Sequence, residues 1–140
     1  MLCAIPLVGY SITFDPTVFC QDDASNTDSF TYMTSEKLKS PVFITVQQNT
    51  ELSADELVKG LAMQSKTDDV KTENAKLGAD KVKCQKVSYT EDVKGVPVEH
   101  AFWVVPTKKE NLIVEYMGYK GMPQRAETKC PEMLDSITIK

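Results

Sequence analysis

The chain has 140 residues, 41% of them hydrophobic and 26% charged, with a formal net charge of −4. That length suits one domain with a substantial core, and the balance excludes wholesale disorder. Arg125 is the one arginine among 16 basic residues and the lysines are scattered, which speaks against nucleic-acid binding, where Lys and Arg gather on one face to neutralise phosphates.

The opening, Met1 to Val8, is apolar but lacks the basic flank and small-residue cleavage site of a signal peptide. Nothing in the chain approaches the apolar run of about 18 residues that a membrane-spanning helix needs. Either a cytoplasmic protein or the mature part of an exported one fits. Tyr10, Ile12 and Phe14 alternate with Ser11 and Thr13, the period of a strand with one buried face, and Asp15-Pro16 ends it. Val18-Phe19-Cys20 begins a return strand, the polar stretch from Gln21 to Asp28 reads as a hairpin loop, and Phe30 to Tyr32 alternates again. Pro41 is expected to open a further strand, with Val42, Ile44 and Val46 on one side.

The best-specified local structure follows. Ser53-Ala54-Asp55-Glu56 fits a capping box, Leu52 and Leu57 hold the positions of a hydrophobic staple, and Leu57, Val58, Leu61, Ala62 and Ser65 form one stripe. The spacing predicts a helix over 53–66. Residues 67–80 are polar, with a turn expected at Gly78. Val82, Cys84, Val87 and Tyr89 change parity, which suggests a bulge. Asp92-Val93-Lys94-Gly95 is a hairpin turn between that strand and a long one over 96–105, and a second long strand over 112–119 follows a charged tip. Pro131 marks the first turn of a short helix over 131–135, and Ser136 to Ile139 returns as a last strand. With no repeat or internal linker, residues 1–140 read as a single α+β domain. The expected architecture is one antiparallel sheet of about six to seven strands with both helices packed on the same face.

Four cysteines, Cys3, Cys20, Cys84 and Cys130, allow disulfides arithmetically, but no C-x-x-C pair points to zinc or to redox exchange. Cys130 is expected to be at least partly buried, and Cys84 is its partner if any bond exists. His100 is the one histidine. It could act as a general base with a carboxylate and a nucleophile such as Ser88 or Cys84, or it could simply sit in the sheet. Asp22, Asp23 and Asp28 could resemble a weak calcium site, yet the 12-residue loop pattern is missing and solvated turn charges explain them better. No catalytic signature, metal site or cofactor motif is expected.

The hairpin over 96–119 is unusual in being apolar on both faces. If Val105 lies opposite Leu112, one face carries Ala101, Trp103, Val105, Leu112, Val114 and Tyr116. The other carries Val98, His100, Phe102, Val104, Ile113, Glu115 and Met117. A sheet covered on one side needs only one apolar face. The second face is therefore covered by the domain itself, or it is an interface for a protein partner or a second copy, made by His100, Phe102, Val104, Ile113, Glu115 and Met117.

The element order resembles the PsbP/DcrB-like superfamily of α/β sandwiches. The resemblance is carried by Gly9-Tyr10-Ser11-Ile12-Thr13-Phe14-Asp15-Pro16, the helix after Ile44-Thr45-Val46, the hairpin over 96–119, and the ending Met133-Leu134-Asp135-Ser136-Ile137-Thr138-Ile139. It implies a fold and a leaning toward non-catalytic, exported or lipid-anchored proteins, and no functional residue is carried over from it. The expected function is a non-enzymatic binding or accessory domain, secreted or of the cell envelope. The alternatives are a carrier or chaperone holding an apolar ligand or helix beside Trp103, and an enzyme of unknown class.

Overall fold

The computed structural model describes residues 3–7, 9–24, 27–32, 42–65 and 67–139. Pro41 lies outside them. Ten strands and two helices follow in the order β1 (Cys3–Leu7), β2 (Tyr10–Phe14), β3 (Phe19–Ala24), β4 (Thr27–Tyr32), β5 (Phe43–Asn49), α1 (Ala54–Gln64), β6 (Lys71–Leu77), β7 (Val82–Val93), β8 (Val96–Pro106), β9 (Asn111–Tyr119), α2 (Gln124–Ser136) and β10 (Thr138–Ile139). The fold is α+β and antiparallel throughout. It has two sheets where one was expected: a seven-stranded sheet ordered β3-β4-β5-β9-β8-β7-β6, and a three-stranded sheet ordered β1-β2-β10.

Alternation along β8 decides the layering. Ala101, Trp103 and Val105 join a core with β2, β5 and α2, to which Tyr10, Ile12, Ile44, Val114, Cys130 and Met133 contribute. Phe102 and Val104 join a second core with Leu57 and Val58 of α1, Val87 and Ile113. Side chains of neighbouring strand residues point to opposite faces, so α1 and α2 lie on opposite faces of the large sheet. The expectation of both helices on one face is corrected. An apolar stripe tells a helix to pack, but it does not say on which side of a sheet that is apolar on both.

The predicted hairpin register holds, with Val105 opposite Leu112 and His100 opposite Met117. Between β7 and β8 the register runs unbroken from Gln85↔Val104 to Val93↔Val96, so the parity change from Cys84 to Val87 is no bulge. Cys84 faces the α2 core and Val87 the α1 core. The turn after Val93 places Lys94 at φ 52° and Gly95 at φ 84°, the pair of left-handed residues that matches the twist of a two-residue hairpin.

Strands β1 and β6 were not expected, and β3 and β4 run further than their apolar ends suggested. The polar stretch taken as a loop continues as β3 and β4, whose hydrogen-bonded pairs reach Ala24↔Thr27. Lys71 to Leu77 forms β6 at the edge of the sheet, where exposed charged side chains discourage pairing with another chain. The turn after β6 is fixed by Gly78. Its φ is 83°, and a Cβ there would lie 2.1 Å from the Ile137 carbonyl oxygen, which accepts from the Ala79 amide at 2.9 Å.

The α1 cap is as predicted. Ser53 Oγ accepts from the Glu56 amide at 3.2 Å, and Glu56 Oε1 accepts from the Ser53 amide at 3.3 Å. The other helix is much longer than expected. Pro131 stands inside it, and it begins at Gln124. A proline interior to a helix frees the carbonyl four residues earlier. Here that is Glu127, and the stripe of Ala126, Cys130 and Met133 is buried on both sides of the proline. Ser53→Ala is expected to lower stability by about 1 kcal/mol, by leaving a first-turn amide without its acceptor. An unchanged urea midpoint would show that the cap contributes nothing.

Candidate functional site

The covers of the large sheet are unequal. On the α2 face the three-stranded sheet and α2 leave open the end made by β6, β7 and β8. A cleft of about 760 Å³ opens there, walled by α2 through Cys130, Pro131 and Leu134 and floored by Ser88, Ala101 and Trp103. The strand register explains the space. One row across the sheet reads Lys71↔Ser88↔Ala101↔Tyr116. The middle of that row is two small side chains, so little fills the gap beneath the helix. The next row, Glu73↔Lys86↔Trp103, is bulky.

Trp103 is the chain's one tryptophan. Its ring carries the Lys86 ammonium at 5.1 Å from the centroid, a cation–π arrangement. Tyr116 leans over Gly118, where a Cβ would sit 2.1 Å from the phenol oxygen, and its hydroxyl donates to the Met122 sulfur at 3.7 Å. Burial pushes the Tyr116 phenol up, helped by Cys130, Glu99 and Glu127, so it remains a hydrogen-bond donor at ordinary pH. Lysines and carboxylates share the rim, among them Lys71, Lys81, Glu127 and Asp135.

The six proposed interface residues divide. Phe102, Val104 and Ile113 are only 6%, 1% and 7% exposed and belong to the core under α1. For these three the cover is the domain's own helix. His100, Glu115 and Met117 are half-buried beyond it. The His100 ring stacks on Tyr89 at 4.7 Å between centroids. Its Nε2 lies 3.7 Å from Glu91 Oε1, too far for a hydrogen bond, and has no hydrogen-bond partner among the described residues. Burial pushes the Glu115 carboxyl up, opposed by a hydrogen bond with Thr45. Ser88 and Cys84 stand at the other parity of β7, since Tyr89 is the residue paired with His100. The sheet therefore separates His100 from both candidate nucleophiles.

Asp23 and Asp28 face each other across the β3–β4 hairpin. Asp28 Oδ2 accepts from the buried Tyr10 hydroxyl at 2.6 Å. Burial pushes the Asp28 carboxyl up, the Tyr10 bond lowers it and Asp23 raises it again. This pair ties the small sheet to the large one. Among the described residues no group of three or more His, Cys, Asp or Glu side chains could hold a metal, and no helix is long and apolar enough to cross a membrane.

Sequence reasoning placed Trp103 and Tyr116 on one face and allowed a ligand beside Trp103, but it missed the part of the α2 wall before Pro131, Glu127 and Cys130. Adjacent small residues on β7 and β8, Ser88 and Ala101, were the available signal.

No family model and no curated protein matches this chain. A crystal structure from Bacteroides thetaiotaomicron VPI-5482, solved at 1.50 Å, is similar with a TM-score of 0.58 and 12% identity, over 94% of this chain. The chain spans 45% of that protein's length, and at this identity the likeness concerns the fold alone.

Two outcomes follow from the burial. Phe102→Ser with Ile113→Ser is expected to unfold the domain, because each removes large apolar contacts from the α1 core at a cost of roughly 3 kcal/mol or more. A double variant that stays folded to the wild-type thermal midpoint would place those residues outside the core. Cys20 is exposed, Cys84 and Cys130 are buried, and all three are free thiols. Burial pushes the Cys84 thiol up and the Cys130 thiol up to about 12. Alkylation at about pH 8 should modify Cys20 rapidly and Cys84 and Cys130 only on unfolding. Peptide mapping that finds Cys130 labelled in the native protein would contradict this.

Proposed function

We propose that the chain is a non-enzymatic binding domain and that, within this class, it acts as a carrier for a small ligand with an apolar body, held in the cleft between the sheet and α2. The observation that carries this is the 760 Å³ opening beside Trp103. Its volume lies in the range of small-ligand sites, and its lining mixes aromatic and aliphatic side chains with a few polar groups, as such sites do. The small side chains of Ser88 and Ala101 keep the floor clear. The separation of His100 from Ser88 and Cys84 favours binding over acyl-transfer chemistry. The resemblance to the PsbP/DcrB-like superfamily favours the same side, and with it an exported or envelope location, because relatives there are mostly non-catalytic.

Trp103 is a built-in reporter. Titration with 1-octanol should change its emission saturably in the wild-type protein. Ala101→Leu and Ser88→Phe, which fill the floor, should each abolish the change while the circular dichroism spectrum stays that of the folded protein. An absence of saturable binding for 1-octanol and other short apolar compounds would overturn the proposal, as would binding unaffected by both substitutions.

A further inference from the structure

Two carboxyl groups stand opposite each other where the small sheet meets the large one. Asp23 of β3 and Asp28 of β4 are direct cross-strand partners, a position in which like charges are destabilising. Asp28 Oδ2 accepts from the Tyr10 hydroxyl at 2.6 Å, and Tyr10 is buried in the core between the two sheets. A further side-chain hydrogen bond joins Asp28 to Asp23. Ionised carboxylates are acceptors only, so two of them bond to each other only when one carries a proton.

No cation relieves this pair. Among the described residues, Tyr10 of β2 and Asp23 of β3 are the side chains that act on Asp28. On the other side β5 places Val46 opposite it, and β10 brings uncharged Thr138 and Ile139 against Ser11 and Tyr10. Asp22 is the next residue along β3 and points to the opposite face of the sheet. The two partners are unequal. Asp23 is exposed and accepts from Gln21 Nε2 at 2.8 Å, which favours its charged form. Asp28 is half-buried, which disfavours charge. The proton therefore belongs to Asp28 and is donated toward Asp23, while Oδ2 keeps its bond from Tyr10.

We propose that Asp23 and Asp28 hold one proton between them and so form a pH-dependent clasp between the two sheets, closed in acid and loosened when both carboxyls are charged. Burial raises the Asp28 carboxyl, the Tyr10 bond opposes this, and the bond and charge of Asp23 raise it further. A group raised in this way binds its proton more tightly in the folded chain than in the unfolded one. Its contribution to stability is complete below the ordinary aspartate value of about 3.9 and is lost as the pH rises through the raised value. A salt-bridged aspartate behaves in the opposite sense.

Asp23→Asn tests the clasp, because the amide removes one charge and offers Asp28 a donor at every pH. Carboxyl-carbon NMR of the full chain should find Asp28 titrating above about 3.9 in the wild type and at lower pH in the variant. Between pH 4 and pH 7.5 the thermal midpoint of the variant should rise by a few degrees relative to the wild type. Over the same range the amide protection factors of β2, taken against those of β8 in the same sample, should fall in the wild type and stay level in the variant. An Asp28 midpoint at or below the ordinary value overturns the shared proton. A raised midpoint that Asp23→Asn leaves in place assigns it to burial alone and overturns the pair. A difference in thermal midpoint that does not vary with pH, or β2 protection that follows β8 at every pH in both proteins, overturns the clasp.

Discussion

Ala101, Phe102, Trp103, Val104 and Val105 are all buried, and in a strand such a run points alternately to both faces. The centre of the large sheet therefore has no solvent side. An apolar area of this kind left in water costs about 25 cal/mol per Å², so each face requires its own cover, and the rest of the chain is arranged to supply two. α1 is enough for one face, because Leu57 and Val58 meet Phe102, Val104 and Ile113 directly. The other face is larger. It takes α2 and the three-stranded sheet together, with Tyr10, Ile12 and Phe14 reaching across to Phe30, Ile44 and Val114.

The cleft lies on that second face, where the cover is divided between α2 and the small sheet. The small sheet is fastened at one end by Tyr10 to Asp28. The end of α2 is fastened by Ser136, whose hydroxyl donates to the Met133 carbonyl at 2.7 Å and accepts from the Thr13 amide at 2.9 Å. Among the described residues no such hydrogen bond holds α2 over Ser88 and Ala101, where it is kept by the packing of Cys130 and Met133. The interior proline there also removes one helical hydrogen bond on the stretch that lines the cleft. The opening is bounded by that helix and by a floor that the small side chains of Ser88 and Ala101 keep clear.

Much of this was legible in the residues. The period-2 runs, the capping box and the Gly95 turn are local signals, and each produced its element near the expected bounds. The hairpin register followed from matching apolar faces and proved correct from Val98 to Pro106. What the sequence withheld were facts about pairing at a distance. Strand β6 is polar because it lies at an edge, which no local pattern announces. The side chosen by α1 depends on which apolar face is free, and β8 offers two. Pro131 was misread as a helix start because proline favours a first turn, whereas here the buried stripe of Ala126, Cys130 and Met133 outweighs the lost hydrogen bond. The interface reading failed for Phe102, Val104 and Ile113 for the same reason as the layering: the cover was α1, which is distant in the chain.

The three-stranded sheet has a consequence in time. Its middle strand, β2, pairs with β10, and the Ser11 and Thr138 hydroxyls that bond across this seam are 127 residues apart. Closing so long a loop is entropically unfavourable until many other contacts are in place. In the large sheet most pairs join consecutive strands, with β5 and β9 the distant pair at its centre. The face of Trp103 and Val114 therefore gains part of its cover only through a long-range closure, and a change that weakens the β2–β10 seam would leave that apolar surface open to aggregation.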